Sequence, residues 1–276
     1  MKRVTKLLIL SSIVCSSLFA NDNLVIHFEK KRVAQNPNIK VNDIKVYYKQ
    51  DLEIDNWKGY ILDLDANIKG KDMKVKDTLF SNDKLIATDL FDIKTGKSFK
   101  DSVAPAFNTK SYQISKLIAG NEKAENKIAI FSDPLCPFCM HYVPEVIEYV
   151  NKNSETIALY YYSFPLVQIH PASTTLSKIM DITKTKFGNE KFLEAYKTDW
   201  TKLFDPSVTD EKTILDAFNK AMQTDIKIEE LNKKVTSALE KDTALAEELL
   251  INGTPAIYIN GIKDPTREKF KSLGKK

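Results

Sequence analysis

A cysteine pair that follows a short apolar run is the feature that most constrains this chain. Residues 128–131 are apolar and have the length of a buried strand. Asp133 and Pro134 end that run, and Cys136 and Cys139 follow with two residues between them. Apolar residues at helical spacing continue beyond the second cysteine. The pattern therefore predicts a strand, a turn and a helix, with Cys136 at the N-terminus of the helix.

The predicted helix would give Cys136 special chemistry. Pro137 stands at the first helical position, where proline is tolerated because its missing N–H has no partner there anyway. The positive dipole end of a helix stabilises an anion, and for a cysteine this lowers the thiol pKa and supplies the reactive thiolate. Cys139 lies one turn further on, within reach of a disulfide with Cys136. The spacing therefore indicates a redox-active pair.

Two other roles for the cysteine pair fit the sequence less well. A zinc site needs four ligands, and beside the pair the chain offers three histidines, His27, His141 and His170, and no second Cys-x-x-Cys. A purely structural disulfide would close a very short loop and gain little from loop entropy. We therefore expect no metal and no organic cofactor, only the redox-active disulfide Cys136–Cys139.

Residues 1–20 have the features of a secretory signal peptide. Lys2, Arg3 and Lys6 are basic, residues 7–14 form an apolar stretch too short to span a bilayer, and a cleavage site follows Ala20. An uncleaved anchor is the alternative. Removal takes away three of the 41 basic residues and none of the 37 acidic ones. The mature chain is then nearly neutral, so its charge predicts no nucleic-acid partner.

The region from residue 21 to 105 has the pattern of a small separate domain. A helix is predicted at residues 23–34, followed by short strands between residues 39 and 99, with the clearest period of two at residues 57–68. We also expect strands at residues 78–80, 85–88 and 90–93. A sheet this small leaves an edge that must be covered or paired. Pairing with a second copy is the simplest solution, and it predicts a homodimer.

The rest of the chain alternates strands and helices. Residues 106–126 are predicted to form a linker helix, at residues 111–119, and a polar hinge. The strand to Phe131, the Cys136 helix and a strand at residues 156–162 form a β-α-β unit, which favours a parallel strand pair. A helical insertion is predicted at about residues 170–251, with Ser207 and Thr209 as candidate helix caps. A strand at 256–260, a tight turn and a short helix at 265–273 complete the domain, residues 127–276.

A second motif lies far downstream, at Thr254-Pro255 before an apolar strand. Proline cannot donate to a strand ladder, and a trans proline at a strand start is the simple explanation. Together with the Cys-x-x-Cys, a cis proline facing the cysteines is favoured, leaving the Thr254 backbone free to pair with an extended substrate. Phe138 is expected to be exposed, where it touches substrate or covers Cys136. His141 is expected on a solvated face, with a proton-transfer role as the alternative.

These motifs resemble the thioredoxin superfamily, and among its members the exported Dsb thiol–disulfide proteins of the DsbC/DsbG type. The resemblance is carried by Phe-Ser-Asp-Pro-Leu-Cys-Pro-Phe-Cys at residues 131–139, by Pro144, by Thr254-Pro255, and more weakly by residues 79–92. It implies an α+β protein with a cystatin-like N-terminal dimerisation domain, a linker and a thioredoxin-like domain. It also implies a periplasmic homodimer, with Cys136 and Cys139 catalytic and with Pro137, Phe138, Thr254 and Pro255 contacting substrate.

The resemblance leaves the direction of catalysis open. Pro255 follows Cys139 by 116 positions, an insertion as long as in the oxidase DsbA, and Pro-Phe between the cysteines is nearest to the Pro-Tyr of DsbG. No acidic residue stands in the strand before Cys136, where some relatives keep a buried carboxylate. We expect a disulfide isomerase or reductase with chaperone activity on unfolded or misoxidised exported proteins, recycled by a membrane partner of the DsbD or DsbB kind. A dimeric DsbA-like oxidase and a holdase without redox turnover are the alternatives.

Overall fold

The computed structural model describes residues 14–274, with side chains described from residue 21 onward. Most of the predicted signal peptide, residues 1–13, lies outside the described residues. Within the described range, no helix combines the length and apolarity needed to cross a membrane. The chain divides into two compact units, Met1–Val103 and Ala104–Lys276.

The first unit is one helix packed on an antiparallel sheet. Its four strands follow each other in the order β1-β2-β3-β4. The elements are α1 Val14–Val33, β1 Ile39–Asp51, β2 Lys58–Ile68, β3 Lys71–Ser81 and β4 Ile86–Ala87. Tyr60, Leu62 and Leu64 of β2 face the same core as Val25 of α1. Tyr60, Leu62, Leu64 and Ala66, at alternate positions of β2, are buried, which accounts for the period of two, and Ile61 between them is buried as well.

Two predictions for this unit need correction. The strand predicted at residues 90–93 is wrong, since the structure has only an isolated bridge between Phe91 and Ser98 there. β3 begins at Lys71, earlier than residue 78, because its first half pairs with β2 through the backbone while its side chains are mostly exposed. The helix predicted at 23–34 is confirmed by α1. The cystatin-like character and the homodimer remain predictions.

The second unit is built on a mixed sheet with the strand order β5-β7-β6-β8-β9. The strands are β5 Leu117–Gly120, β6 Asn126–Ser132, β7 Ile157–Ser163, β8 Ala256–Ile259 and β9 Ile262–Lys263. β6 and β7 are parallel, as the β-α-β pattern predicts, and the other pairs are antiparallel. The helices are α2 Pro137–Lys152, α3 Ser173–Lys197, α4 Glu211–Met222 and α5 Lys233–Glu248.

Helices and aromatic side chains cover both faces of this sheet. On one face Ile128 and Ile130 of β6 share a core with buried residues of α2 and α3. On the other face Phe131 belongs to an aromatic cluster that also contains Phe107 and Tyr258. β6 is therefore buried on both faces, which explains why its sequence is an uninterrupted apolar run.

The predicted linker helix at residues 111–119 is wrong. The segment forms two 3-10 turns, Thr109–Ser111 and Ile114–Lys116, and then strand β5. Ile118 and Ala119 are buried because β5 pairs with β7 at the edge of the sheet. Gly120 ends the strand at φ 77°, and a Cβ there would lie 1.9 Å from the Ile157 carbonyl oxygen. Only glycine permits this close approach.

The helical insertion is confirmed, with different boundaries and caps. Non-helical φ and ψ at Gly188 divide α3 into two segments. Asp210 caps α4 by accepting a hydrogen bond from the Thr213 N–H, so the predicted caps Ser207 and Thr209 are wrong. At the C-terminus the structure has only a 3-10 turn, Lys269–Ser272, where a longer helix is predicted.

Candidate active site

Cys136 is the N-cap of helix α2, and Pro137 opens the helix. This confirms the strand–turn–helix arrangement predicted from the sequence. The Cys136 N–H donates to the carbonyl of Asp133 at 3.1 Å, which fixes the turn between β6 and α2. Cys136 is 5% exposed, whereas Cys139 is fully buried. Of the two sulfurs, only the one at the helix terminus is therefore open to an incoming group.

The surroundings of Cys136 favour its thiolate. The pKa of Cys136 is lowered from 9.0 to about 5, first because the Cys139 thiol donates a hydrogen bond to it. The Thr254 side chain and the backbone amides of Cys139 and Phe138 lower the pKa further, against an opposing effect of burial. The backbone donors are the free N–H groups of the first helical turn, which stabilise an anion. Cys136 is thus a thiolate at neutral pH.

Cys139 is held in the opposite state. Burial raises its pKa far above the ordinary value, and its hydrogen bond to Cys136 raises it further. Donors from Ser132, Thr254 and the backbone of Asp133 act in the other direction, but they do not reverse the shift. A buried thiol without a nearby cation remains protonated, because the thiolate is poorly solvated there. Cys139 is therefore the proton donor of the pair.

Thr254 and Pro255 lie against the cysteines, as the sequence predicts. The Thr254–Pro255 peptide bond is cis. The Sγ atom of Cys136 lies 3.8 Å from the carbonyl oxygen of Thr254. The Thr254 hydroxyl is buried beside both sulfurs, but its geometry is not that of a hydrogen bond to any residue that the structure describes. It can therefore donate a hydrogen bond to whichever of the two sulfurs becomes a thiolate.

The residues around the opening differ in character. Phe138 is 73% exposed, as predicted, and presents an apolar ring beside Cys136. Pro137 is exposed as well. His141 is exposed, which agrees with the predicted solvated face. The dipeptide between the cysteines brings no positive charge to the Cys136 thiolate. Phe138 contributes only its backbone N–H.

Behind Cys139 lies a closed group of hydroxyls that the sequence alone did not reveal. The Ser132 and Tyr196 hydroxyls are 2.6 Å apart, and Tyr161 donates to the Ser132 carbonyl and to the Tyr196 hydroxyl at 3.4 Å. Burial raises the pKa of both tyrosines, so both keep their protons and can donate. Of this hydroxyl cluster, Ser132, Tyr161 and Tyr196, the Ser132 side chain hydrogen-bonds to Cys139.

A second feature missed by sequence reasoning is the buried carboxylate of Asp133. One of its oxygens accepts hydrogen bonds from the Leu135 N–H at 2.7 Å and from the Ser173 hydroxyl. The other accepts from the Leu166 N–H at 2.8 Å and lies 3.1 Å from Nδ1 of His170. Asp133 is fully buried. It joins the cysteine turn to the start of the helical insertion.

Asp133 was visible in the sequence only as a strand breaker. Its position, one residue beyond the apolar run, was the available signal. Its partners His170 and Ser173 lie 37 and 40 positions away, so no local motif connects them. Among the side chains that the structure describes, no group of three or more metal-ligating residues comes together. The expectation of no metal and no organic cofactor stays a prediction.

A family model matches most of the second unit. Residues 113–275, well over half of the chain, match the family model described as Thioredoxin. No curated protein matches the chain significantly. Among solved structures, the chain is similar to ScsC from Proteus mirabilis, with 22% identity, a TM-score of 0.46, and coverage of 59% of this chain and 71% of that chain.

Two further solved structures resemble the chain to a similar degree. A thioredoxin-like oxidoreductase from Silicibacter pomeroyi is 19% identical, with a TM-score of 0.48 and coverage of 60% of this chain and 95% of that chain. BdbD from Bacillus subtilis is 18% identical, with a TM-score of 0.46 and coverage of 63% and 94%. The match over residues 113–275 decides the assignment: the chain belongs to the thioredoxin family.

Proposed function

We propose that the protein is a thiol–disulfide oxidoreductase that acts on disulfides of exported proteins, chiefly as a disulfide isomerase or reductase. One observation carries this proposal. Two cysteines three residues apart have pKa values moved in opposite directions, with the lowered one, Cys136, at the opening. A low-pKa, accessible thiolate with a second thiol beside it is the arrangement that disulfide exchange requires.

The first chemical step is attack by the Cys136 thiolate on one sulfur of a substrate disulfide. The substrate S–S bond breaks, its other sulfur leaves with the bonding electrons as a thiolate, and a mixed disulfide with Cys136 forms. Cys139 can supply a proton to an outgoing thiolate, since it keeps its proton until that stage. No metal or organic cofactor takes part in this step.

The mixed disulfide can then react in two ways. In isomerisation, another substrate thiolate attacks the substrate sulfur of the mixed disulfide, and Cys136 leaves unchanged, so no net oxidation or reduction occurs. In reduction, Cys139 loses its proton and attacks the Sγ of Cys136. The substrate is then released with two added electrons as a dithiol, and the Cys136–Cys139 disulfide forms.

Four residues would bind substrate at the opening. Phe138 and Pro137 offer an exposed apolar surface beside the attacking sulfur. Thr254 and Pro255 would align an extended substrate segment through the Thr254 backbone. Binding through the backbone accepts many sequences, which suits an enzyme whose substrates are unfolded or misoxidised exported proteins.

The alternative is an oxidase of the DsbA kind, and the same low pKa favours it. Stabilising the Cys136 thiolate stabilises the reduced protein, so that the disulfide becomes more oxidising. An isomerase also needs this thiolate, because its cycle begins in the reduced state. Phe138 lacks the donor or cation that a histidine would add there. We therefore place the isomerase or reductase role first, with recycling by a membrane partner of the DsbD or DsbB kind.

The setting and the assembly belong to the same proposal. We propose export to the periplasm through the N-terminal signal peptide and a homodimer formed by the N-terminal unit. Light scattering of the mature chain at micromolar concentration should give twice the monomer mass, and a monomer would contradict the dimer.

Replacing both cysteines with serine should abolish disulfide turnover. If the unmodified protein itself suppresses client aggregation but shows no disulfide turnover, the holdase alternative replaces this proposal.

The redox state of the pair in cells tests the direction. Rapid acid quenching followed by alkylation of free thiols separates Cys136 and Cys139 in the dithiol form from their disulfide. A mostly reduced pair is expected for an isomerase or reductase. A mostly oxidised pair would assign the oxidase role instead. A Cys136→Ser variant controls for alkylation of Cys139 alone.

A further inference from the structure

We infer that a basic groove of the second unit binds an extended, carboxylate-rich segment of the client polypeptide; this inference rests on the proposed function. The groove has a volume of about 770 Å³ and is bounded by α3, α5 and the segment before β5. We call it the basic groove because five lysines line it. They are Lys116, Lys184, Lys233, Lys234 and Lys241.

The charges of the basic groove are not balanced within the protein. Two aspartates, Asp181 and Asp242, also line it, and they pair with Lys184 at 3.1 Å and with Lys116 at 2.6 Å. The other three lysines are exposed, and their ammonium groups contact no partner among the residues that the structure describes. The groove therefore offers a net positive charge to a ligand.

The position of two of these lysines points to an anionic ligand. Lys233 and Lys234 occupy the first turn of α5, which contains no acidic residue. Cations are unfavourable at a helix N-terminus, because the dipole and the free N–H groups are already positive there. The side chain of Asn232 caps only the Lys234 N–H. An anion bound here would be stabilised by the charges of the two lysines and by the free N–H groups of the helix N-terminus.

A buried polar group lies close to the groove, in a separate recess. Beneath the floor lies a recess of about 10 Å³ that shares Lys116, Asp181 and Asp242 with the basic groove. Ser177 lines this recess; it is 3% exposed, and its hydroxyl has no hydrogen-bond partner within the described part of the chain. Buried polar groups without a partner are rare. The recess has the size of about one water, so that a water bound there could connect the Ser177 hydroxyl to a ligand in the groove.

The length of the groove selects an extended peptide over a small anion. The lining residues of α5 run from Lys233 to Leu245, which at about 1.5 Å per residue is about 18 Å. An extended chain covers this length with about five or six residues at about 3.3 Å each. A single small anion would occupy only part of it. Carboxylates on alternate residues would lie on one side of the segment, facing the lysines.

The groove lies close enough to the cysteine turn to serve the same client. Asp242 at its floor accepts a hydrogen bond from the N–H of Ser163, the last residue of β7, at 3.0 Å. Ser163 pairs with Ser132, the last residue of β6. Neighbouring strands are about 4.8 Å apart, and Cys136 follows Ser132 by four positions. A client held in the groove can therefore present a nearby disulfide to Cys136.

Peptide binding by the full-length protein tests this inference. The probe is a fluorescein-labelled decapeptide of alternating glutamate and serine without cysteine, and the readout is fluorescence anisotropy. The groove variant is Lys233→Gln/Lys234→Gln/Lys241→Gln. The control variant removes the same charge elsewhere in the second unit, through Lys152→Gln/Lys220→Gln/Lys269→Gln. We expect the groove variant to bind at least tenfold more weakly than the control variant, and binding to weaken as salt increases.

Several results would overturn the inference. Equal affinity of the two variants would place the peptide elsewhere. Equally tight binding of a lysine–serine decapeptide would show that charge does not select the ligand. Binding of citrate as tight as that of the decapeptide would make the site one for small anions. Reduction of hydroxyethyl disulfide, a neutral small substrate, is measured separately: its absence in the unmodified protein would overturn the proposed function, whereas its retention in the groove variant is expected.

Discussion

The two sides of the cysteine turn differ more than their separation of three residues suggests. We call Cys136, Pro137, Phe138 and Thr254 the front of the site, and Cys139 with the hydroxyl cluster the back. At the front, Phe138 is 73% exposed, and the pKa of Cys136 is lowered to about 5, first by the hydrogen bond from the Cys139 thiol and then by Thr254 and backbone donors. At the back, Cys139, Ser132, Tyr161 and Tyr196 are buried, and burial raises the pKa of Cys139.

The difference shows how one fold gives two identical groups opposite roles. A helix N-terminus supplies free N–H groups at its first turn only, so that a cysteine one turn further inside loses most of that benefit. Burial then penalises the charged form of the inner thiol. The outer cysteine, Cys136, therefore becomes the nucleophile. The inner cysteine, Cys139, keeps its proton and can donate it later.

The largest expected effect comes from separating the two roles by mutation. Cys139→Ser should leave a nucleophile that cannot be released by its partner, so that mixed disulfides with substrate accumulate through Cys136. Cys136→Ser should abolish turnover and trap nothing. Non-reducing gels followed by mass spectrometry of the trapped species measure both. Trapped complexes found only with Cys136→Ser would reverse the assignment of front and back.

Asp133→Asn should give the next largest effect, on stability. The substitution places an NH₂ group where a fully buried carboxylate now accepts hydrogen bonds, and at least one donor among its partners is left unpaired. We expect a loss of about 2–3 kcal/mol in the free energy of unfolding, measured by urea denaturation. Asp205→Asn, at an exposed carboxylate, is the matched control and should change little. Equal stability of the two variants would mean that Asp133 does not hold the turn.

A smaller effect is expected from the hydroxyl cluster. Tyr196→Phe removes the hydroxyl 2.6 Å from Ser132, so that Ser132 is oriented less well to stabilise the Cys139 thiolate by its hydrogen bond. We expect resolution of a preformed mixed disulfide to slow about fivefold, equivalent to about 1 kcal/mol. Tyr161→Phe, whose hydroxyl lies 3.4 Å from its partners, should have a weaker effect. An unchanged single-turnover rate in both variants would leave the back of the site with only a packing role.

The pH dependence of stability should reveal the front of the site. The folded pKa of Cys136 lies below its ordinary value of 9.0. Its thiolate therefore stabilises the reduced protein fully above about pH 9, and this contribution is lost as the pH falls through about 5. Urea denaturation of the reduced protein and of Cys136→Ala, at several pH values, isolates the contribution of this thiol. Curves that stay parallel from pH 4 to 9 would contradict it.

The sequence predicted the front of the site and Cys139, but not the hydroxyl cluster behind Cys139. Cys136, Pro137 and Phe138 follow from local spacing, because a helix terminus is determined by adjacent residues. Ser132 also lies in the motif, but its partner Tyr196 is 64 positions away in the insertion. Nothing in the composition of α3 indicates which of its residues reaches the sheet. The back of the site depends on tertiary packing that single-sequence patterns do not encode.

The same distinction explains why some of the secondary-structure predictions were wrong. Strand β2 was predictable because apolar residues stand at the alternate, buried positions 60, 62, 64 and 66. The first half of β3 was not, since its side chains are mostly exposed and leave no alternation. Ile114, Leu117 and Ile118 have helix-like spacing, yet β5 forms there because β7 offers an unpaired edge. At that position the pairing of β5 with β7 decided the structure, and the local helix-like pattern did not.

One titration tests the central claim most directly, that the two cysteines of this site have opposite acidities. The absorbance of the thiolate at short ultraviolet wavelengths is followed against pH in the reduced protein, with Cys136→Ala as the control. We predict a transition with a midpoint of about 5 that is absent from the control, and no second thiol transition below the ordinary value of 9.0. A midpoint near 9, or a low transition that persists in Cys136→Ala, would contradict the account.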